Sequence, residues 1–306
     1  MKWKKLGLII KPGKYTWIVT HVQNPFAIRT GEDIYKIFFA GRDCYNRARG
    51  GFAEIDINNP KVIIDFSSSP LLDLGELGCF DDSGVMPSTV VDLNSKQYMY
   101  YTGWSRAVVT PFTFFIGLAI SEDSGKSFRR YSKAPVLGRN FHDPFLTASP
   151  WVIIENHVFK MWYVSGTGWE MSSNNDSVLK HYYHIKYAES KDGFNWNPEG
   201  IVCIDFRDDE YAIARPTVYK ENGIYKMWYC YRGGYETYRA GYAESKDGIK
   251  WQRKNSQVGI DVSDEGWDSQ MICYPFVFEH KGQQYMLYNG NDYGKTGIGL
   301  AVLEKE

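Results

Sequence analysis

The sequence predicts an all-β fold, a five-bladed β-propeller whose blades each have four antiparallel strands. Five similar segments begin with a proline, and successive prolines lie 62, 63, 66 and 59 residues apart. Such a near-constant period across a chain is typical of radially repeated sheets. No stretch shows a sustained helical period. The five prolines are Pro25, Pro87, Pro150, Pro216 and Pro275.

Each repeat can be divided into strands. A short apolar strand follows the proline, and a second strand rich in Tyr, Met, Trp and Phe follows after a polar turn. Enrichment in β-branched and aromatic residues over four to seven positions, bounded by Gly, Asn and Asp, indicates a half-buried strand. The second strands are predicted at 35–39, 98–101, 159–163, 225–229 and 285–288, and third strands at 115–119, 184–188, 239–243 and 297–301.

The last repeat contains three strands before the sequence ends, so its outer strand is missing. Residues 5–10 form a strand-like segment that belongs to no repeat. We expect this segment to pair with the last blade and close the ring, because an unpaired sheet edge would otherwise remain exposed. The repeat leaves no linker, which predicts one domain over residues 1–306.

Composition restricts the classes of partner. The formal net charge of −1 gives no electrostatic reason to expect a nucleic acid or an anionic membrane. The apolar run at 6–10 is too short for a signal peptide or a membrane span. Five cysteines show no metal-ligand spacing, so we expect reduced thiols in a cytoplasmic protein, with no metal site and no cofactor. The oligomeric state is left open.

Loop lengths predict which face of the propeller is functional. One set of turns is short, and Asp192 and Asp247 in it are interpreted as turn residues of Asp-Gly hairpins. The other set is long, and long loops on one rigid face are where a binding site is expected. The long loops are 41–50, 67–86, 104–113, 166–182, 204–215 and 261–274. The residues preceding the prolines should cluster there around the axis: Asn24, Met86, Ser149, Arg215 and Tyr274.

Acidic residues recur just upstream of four of the prolines. Paired carboxylates suit glycoside chemistry, in which one protonates the leaving oxygen and the other activates water or attacks the anomeric carbon. Alternatively, some of these acids cap loops or pair with nearby arginines. The candidates are Asp81, Asp82, Asp143, Glu210 and Asp268.

The alternation of x-Pro strand starts, Tyr-x-Met-Trp-Tyr strands and Ser-x-Asp-Gly-x-x-Trp turns resembles the five-bladed propeller glycoside hydrolases. That group holds arabinanases and β-xylosidases, invertases and levansucrases, and mannoside phosphorylases. The resemblance implies a catalytic Asp before the first proline and a Glu near the fourth. This chain has Asn24 and Ala214-Arg215 there, with Glu210 further upstream. Glu210 is therefore the candidate general acid and Asp82 the base or nucleophile, with Asp81, Asp143 and Asp268 as competitors.

Other side chains on the long loops suit substrate binding. A guanidinium fork binds phosphate or carboxylate, which indicates Arg42, Arg215 and Arg232 as sites for an anionic or phosphorylated sugar. Pairing of these arginines with nearby acids is the alternative. The remaining candidates are Asn24, Asp81 and His142, together with the aromatic residues Trp104, Trp169, Tyr235 and Trp267, which could stack on a sugar ring.

Three functional hypotheses remain open at this point. The first is a carbohydrate-active enzyme, a glycoside hydrolase or a phosphorylase-like glycosyl-transferring enzyme with paired carboxylates in the central funnel. The second is a non-catalytic sugar-binding propeller, which Asn24 and Ala214 favour. The third is an enzyme acting on an anionic, phosphorylated or nucleotide-activated sugar. A carboxylate pair across the pocket would distinguish the first from the second.

Overall fold

The computed structural model describes residues 1–172, 175–234 and 237–305. These ranges contain twenty β-strands, one 3₁₀ turn (Asn255–Gln257) and one short helical turn (Asn291–Gly294). The strands are β1 (Trp3–Ile10), β2 (His21–Arg29), β3 (Ile34–Arg42), β4 (Ala48–Asp56), β5 (Ile63–Phe66), β6 (Gly84–Leu93), β7 (Lys96–Arg106), β8 (Phe112–Ser121), β9 (Arg129–Arg130), β10 (Thr147–Glu155), β11 (Val158–Ser172), β12 (Asn175–Ser190), β13 (Asn197–Ile204), β14 (Glu210–Glu221), β15 (Ile224–Gly233), β16 (Arg239–Ser245), β17 (Gln252–Arg253), β18 (Cys273–His280), β19 (Gln283–Asn289) and β20 (Ile298–Leu303).

The strand pairings form antiparallel units of four strands. Strands β2–β5, β6–β9, β10–β13 and β14–β17 form four such units, and β18–β20 form another together with β1. Neighbouring units are joined by little backbone pairing, such as the single parallel bridge between Ala48 and Gly84. The predicted all-β propeller fold is therefore confirmed.

The innermost strand of each unit packs against the innermost strands of its neighbours. These strands are β2, β6, β10, β14 and β18, and contact between β18 and β2 closes the ring. The aromatic second strands fill the layers between units. Tyr100, Trp162 and Trp228 are at most 1% exposed there. Large rings at these positions bury much apolar area between packed sheets, which holds the units together.

The N-terminal strand supplies the missing outer strand of the last unit. Strand β1 pairs antiparallel with β20, from Trp3 opposite Leu303 to Ile10 opposite Ile298. The indole of Trp3 is buried and donates a hydrogen bond to the carbonyl of Val258 at 2.9 Å. The predicted closure of the ring by this segment is confirmed.

A β-bulge interrupts each innermost strand next to its proline. Asn24, Ser149, Arg215 and Tyr274 have positive φ angles of 55°, 47°, 56° and 54°, and the register of their strands shifts at these points. Left-handed backbone is uncommon for residues with a Cβ and persists where the surrounding structure fixes it. A bulge re-aims side chains, and these residues surround the axis.

The short turns on the opposite face have the predicted structure. Asp192 Oδ1 accepts hydrogen bonds from the backbone N–H groups of Phe194 and Asn195, both at 2.8 Å. The hydroxyl of Tyr100 donates to the Gly193 carbonyl at 2.9 Å, so this turn also ties the second unit to the third. No helix in the described part of the chain is long and apolar enough to cross a membrane.

Candidate functional site

A pocket opens on the propeller axis between the long loops. Its enclosed volume is about 100 Å³, well below the several hundred Å³ of a site that encloses a whole ligand. A ligand would therefore insert one end and lie against the loops with the rest. Every unit contributes to the walls: Asn24 and Arg42, Met86 and Thr102, Ser149 and His181, Ala214 and Tyr238, and Tyr274.

The polar groups of this pocket are amides, hydroxyls, an imidazole and a guanidinium, and none of the residues found lining it is an aspartate or glutamate. Several of its buried polar atoms lack a hydrogen-bond partner, among them the acceptors Gln23 Oε1 and Asn24 Oδ1 and the donor Arg42 Nε. Gln23 is 2% exposed and Asn24 7%. A buried polar atom without a partner costs free energy, so these atoms indicate a site that a polar ligand completes.

One arginine lines the pocket, and a second lies nearby outside its lining. Arg42 donates to Asn46 Oδ1 at 2.9 Å, and burial lowers its pKa although Tyr274 and Tyr293 act in the opposite direction. Arg232 donates to the Tyr293 hydroxyl at 2.7 Å and lies behind the pocket wall, 4.9 Å from the ring centre of Tyr238. Its Nε is also buried without a partner. This wall therefore concentrates positive charge near Tyr293.

Another part of the pocket wall is aromatic. His181 lies 5.1 Å from the rings of Trp169 and Tyr183, and Trp169 is half-buried against Phe112 at 5.2 Å. Burial, assisted by the charge of Arg232, lowers the pKa of His181 to about 4. The imidazole is therefore neutral at pH 7 and offers one donor and one acceptor. Trp169, a predicted stacking residue, packs against His181 and is not itself among the residues that line the pocket.

Asn24 and Arg42 are the predicted binding residues that line the pocket. Arg215 lies fully buried on the axis, where it donates to the carbonyls of Ser88 at 2.9 Å and Asn24 at 3.4 Å. Arg215 therefore lies beneath the pocket, where it bonds to the strands around the axis, and it does not form part of the pocket lining.

Three of the predicted catalytic or binding acids share one buried arrangement. Each aspartate accepts a hydrogen bond, at 2.9 to 3.0 Å, from a second-strand tyrosine 20 residues later in the chain, and also pairs with a cation of a third or fourth strand. All three are at most 2% exposed. They are Asp81 with Tyr101 and Arg130, Asp143 with Tyr163 and Lys186, and Asp268 with Tyr288 and Lys5. These acids thus tie a loop to its sheet through a hydrogen bond and an ion pair, and they lie outside the pocket.

The predicted acid and base also lie elsewhere. Glu210 forms a bidentate ion pair with Arg253 at 2.6 and 2.7 Å, in a separate depression beside the fourth unit. Arg253 also donates to the Tyr229 hydroxyl at 2.9 Å, so this unit has its own variant of the same tie. Asp82 accepts from the Gly78 N–H at 3.1 Å and the Ser83 hydroxyl at 2.8 Å, as a loop cap does. The geometry brings neither of them to the pocket.

The remaining candidates take structural or peripheral places. Trp104 is 7% exposed and packs in the core with Ala40 and Ala48. Trp267 stacks on Tyr288 with ring centres 5.1 Å apart. His142 is exposed on a loop, and Tyr235 lies outside the described residues.

Sequence reasoning missed Gln23, His181, Tyr183 and Tyr238 as lining residues. His181 and Tyr183 lie two apart on β12, so the strand period would have placed them on one face. Among the described residues, no three His, Cys, Asp or Glu side chains lie where they could hold a metal ion.

The chain has two close relatives among curated proteins. It is 42% identical over 306 residues to two proteins of Mycobacterium tuberculosis, uncharacterized proteins Rv1502 and MT1551, and the match covers 99% of this chain and all of theirs. No model of a known protein family matches it.

Similar solved structures include glycoside hydrolases. A structure described as a BT0996 RGII complex aligns with TM-score 0.77 and 18% identity, covering 98% of this chain and 91% of that protein. A thermostable family-43 glycoside hydrolase aligns with TM-score 0.66 and 17% identity, covering 97% and 94%. A Bombyx mori GH32 β-fructofuranosidase aligns with TM-score 0.65 and 16% identity, covering 98% and 62%. At these identities the likeness shows a shared propeller fold.

Proposed function

This protein belongs to the family of the two mycobacterial proteins, and we propose that its central pocket binds a carbohydrate that carries an anionic group. The fold it shares with propeller glycoside hydrolases supports the carbohydrate, and the chemistry of the pocket supports the anion.

The observation that carries the proposal is the set of buried atoms without partners. Arg42 Nε is a charged donor in the pocket lining, which suits a phosphate or carboxylate, and Arg232 adds positive charge from behind the pocket wall. Gln23 Oε1 and Asn24 Oδ1 are acceptors, which suit sugar hydroxyls. A ligand that carries both an anionic group and hydroxyl groups satisfies the Arg42 donor and both acceptors, whereas an inorganic anion or an uncharged sugar satisfies only some of these atoms.

The geometry favours a binding protein over an enzyme that would hydrolyse a glycoside with a pair of carboxylates. Inverting hydrolysis needs two carboxyl groups roughly 6.5–9.5 Å apart across the scissile bond, and retaining hydrolysis needs about 5–5.5 Å. Asp143 and Asp268 are buried against tyrosines, and Glu210 is held by Arg253. Asn24 stands where a catalytic aspartate is expected, and an amide cannot act as a general base. A sugar-binding propeller therefore fits the geometry best.

A second candidate is an enzyme that transfers a glycosyl unit from a phosphorylated or nucleotide-activated sugar. Its support is the convergence of Arg42 and Arg232 near Tyr293. Guanidinium groups stabilise the negative charge that develops on a leaving phosphate, and this requires no pair of carboxylates. Release of phosphate or nucleotide from a panel of such sugars would distinguish the transferring enzyme from the binding protein.

Calorimetric titration of the purified protein tests the proposal. The ligands are glucuronate, galacturonate, glucose 1-phosphate and glucose 6-phosphate, with glucose and inorganic phosphate for comparison. We expect one acidic sugar to bind more tightly than both comparison ligands. Arg42→Met should weaken its binding roughly 10- to 100-fold, as expected for loss of a charged hydrogen bond.

Arg29→Met is the matched control, because Arg29 is exposed and, within the described part of the chain, donates only to the carbonyls of its own hairpin. It should bind as the wild type does. Equal binding of glucose and the acidic sugars, or unchanged binding by Arg42→Met, would contradict the proposal.

A further inference from the structure

Arg215 closes the propeller axis directly beneath the central pocket. Its backbone has φ 56°, and its side chain is 0% exposed. The guanidinium belongs to β14 but donates to carbonyls of two other units, Ser88 at 2.9 Å and Asn24 at 3.4 Å. It lies 5.9 Å from the rings of Phe26 and Trp151, which line the other opening of the axis.

The charge of Arg215 has no anionic partner among the described residues. No carboxylate pairs with it, its Nε lacks a hydrogen-bond partner, and the ionisable groups that act on it are Cys230 and Tyr274. Burial raises the pKa of both of these groups, so they are neutral at pH 7. The guanidinium itself stays protonated at neutral pH.

The four residues that occupy the equivalent places before the other prolines are uncharged. They are Asn24, Met86, Ser149 and Tyr274, and all four line the pocket. Arg215 is thus the charged member of the ring, and it is fixed in place beneath residues that any ligand would touch. In surroundings that exclude water, a fixed charge acts over a longer distance than it does at a surface.

We infer that Arg215 sets the preference of the central pocket for anionic over neutral sugars, acting through its electric field from beneath the floor without touching the ligand. This inference rests on the proposed function. Arg42 would contact the anionic group, and Arg215 would add a field that an uncharged ligand does not sense. Arg215 is therefore a specificity-determining residue and not a catalytic one.

The test compares the affinities of wild type, Arg215→Met and Arg215→Lys for an acidic sugar and for its uncharged counterpart, such as glucuronate and glucuronamide. Methionine keeps much of the volume and removes the charge, whereas lysine keeps the charge. We expect Arg215→Met to lose affinity for glucuronate on the order of tenfold, with little change for glucuronamide. Arg215→Lys should keep most of the preference.

A purely structural role would weaken both ligands alike, and that result overturns the inference. Should Arg215→Met not fold, Ser88→Asp and Ser88→Asn decide the question. Ser88 is buried beside the guanidinium, and its carbonyl bonds to Arg215. An aspartate there would neutralise the field, so Ser88→Asp should lose the preference for glucuronate and Ser88→Asn should keep it.

The result with wild-type protein separates the two proposals. Wild type that binds no acidic sugar overturns both the proposed function and this inference. Wild type that binds glucuronate, combined with an Arg215→Met protein of undiminished preference, overturns only the role of Arg215. Equal losses in Ser88→Asp and Ser88→Asn would overturn it as well.

Discussion

Replacing Asp143 by asparagine should destabilise the folded protein whether or not a ligand is bound. Asp143 is 0% exposed and accepts hydrogen bonds from Tyr163 at 3.0 Å and Ser165 at 2.7 Å, while Lys186 Nζ lies 3.2 Å away. The amide would leave the charge of Lys186, a largely buried residue, without its counter-ion. Breaking one side of a buried pair costs roughly 3–5 kcal/mol. Lys186 also donates to the His142 carbonyl at 2.6 Å, so we take about 3 kcal/mol, the lower limit.

The expected shift in melting temperature follows from chain length. Unfolding entropy averages about 2.1 cal/mol/K per residue. Over 306 residues this is about 0.6 kcal/mol/K, so a loss of about 3 kcal/mol lowers Tm by about 5 °C. Scanning calorimetry and urea titration followed by tryptophan fluorescence measure Tm and the free energy of unfolding.

Two further variants make the result specific. Asp82→Asn is the matched control, because among the described residues the Asp82 carboxylate accepts two hydrogen bonds, both within its own loop, and the change should cost less than about 1 kcal/mol. Adding Lys186→Met to Asp143→Asn should recover part of the loss, since the unpaired charge is then gone. Wild-type stability in Asp143→Asn, combined with impaired ligand binding or turnover, would refute the structural role given to this aspartate.

Three other predictions follow from the same geometry. Glu210→Gln should lower the free energy of unfolding by about 3 kcal/mol, the lower limit for breaking a buried pair, because the charge of Arg253 loses its partner. The ligand affinity measured by calorimetry should stay unchanged. Lost turnover with full stability would restore Glu210 as the acid. Deleting residues 1–12 removes β1 and exposes the edge of β20, so urea titration should show a less stable or unfolded domain. Burial lowers the pKa of His21 and of His181 to about 4, against 6.5 ordinarily. As the pH falls from 6.5 to 4, these histidines therefore bind protons in the unfolded chain before they do so in the folded protein. The free energy of unfolding at pH 5 should be roughly 1–2 kcal/mol lower per histidine than at pH 7, after allowance for solvent screening. The variant His181→Phe should show a smaller difference between the two pH values.

The regular features of the fold could be predicted from the sequence because each one repeats. The proline period marked the innermost strands, and the Tyr-x-Met-Trp-Tyr pattern marked the second strands. The pairing of residues 5–10 with the last blade followed from an incomplete final repeat. These local signals come from turn chemistry, strand period and burial, and they do not depend on which side chains or ligand occupy the central funnel.

The roles of the acidic residues could not be predicted in the same way. Their recurrence upstream of the prolines suggested a set of catalytic groups. The regular spacing of 20 residues between Asp81 and Tyr101 and between Asp143 and Tyr163 instead reflects buried hydrogen bonds. A carboxylate in a repeat looks the same in sequence whether it faces a funnel or a tyrosine, because the difference lies in side-chain direction and burial.

The sequence by itself determined the fold class, the closure of the ring and the face that carries the long loops, because each depends on periodicity along the chain. Only the tertiary structure decided which side chains meet at the axis. It brought Gln23, Arg42, His181 and Tyr238 to one pocket and turned Arg215 beneath it. These contacts join residues from different units, and their geometry depends on bulges and positive φ angles that no local pattern specifies.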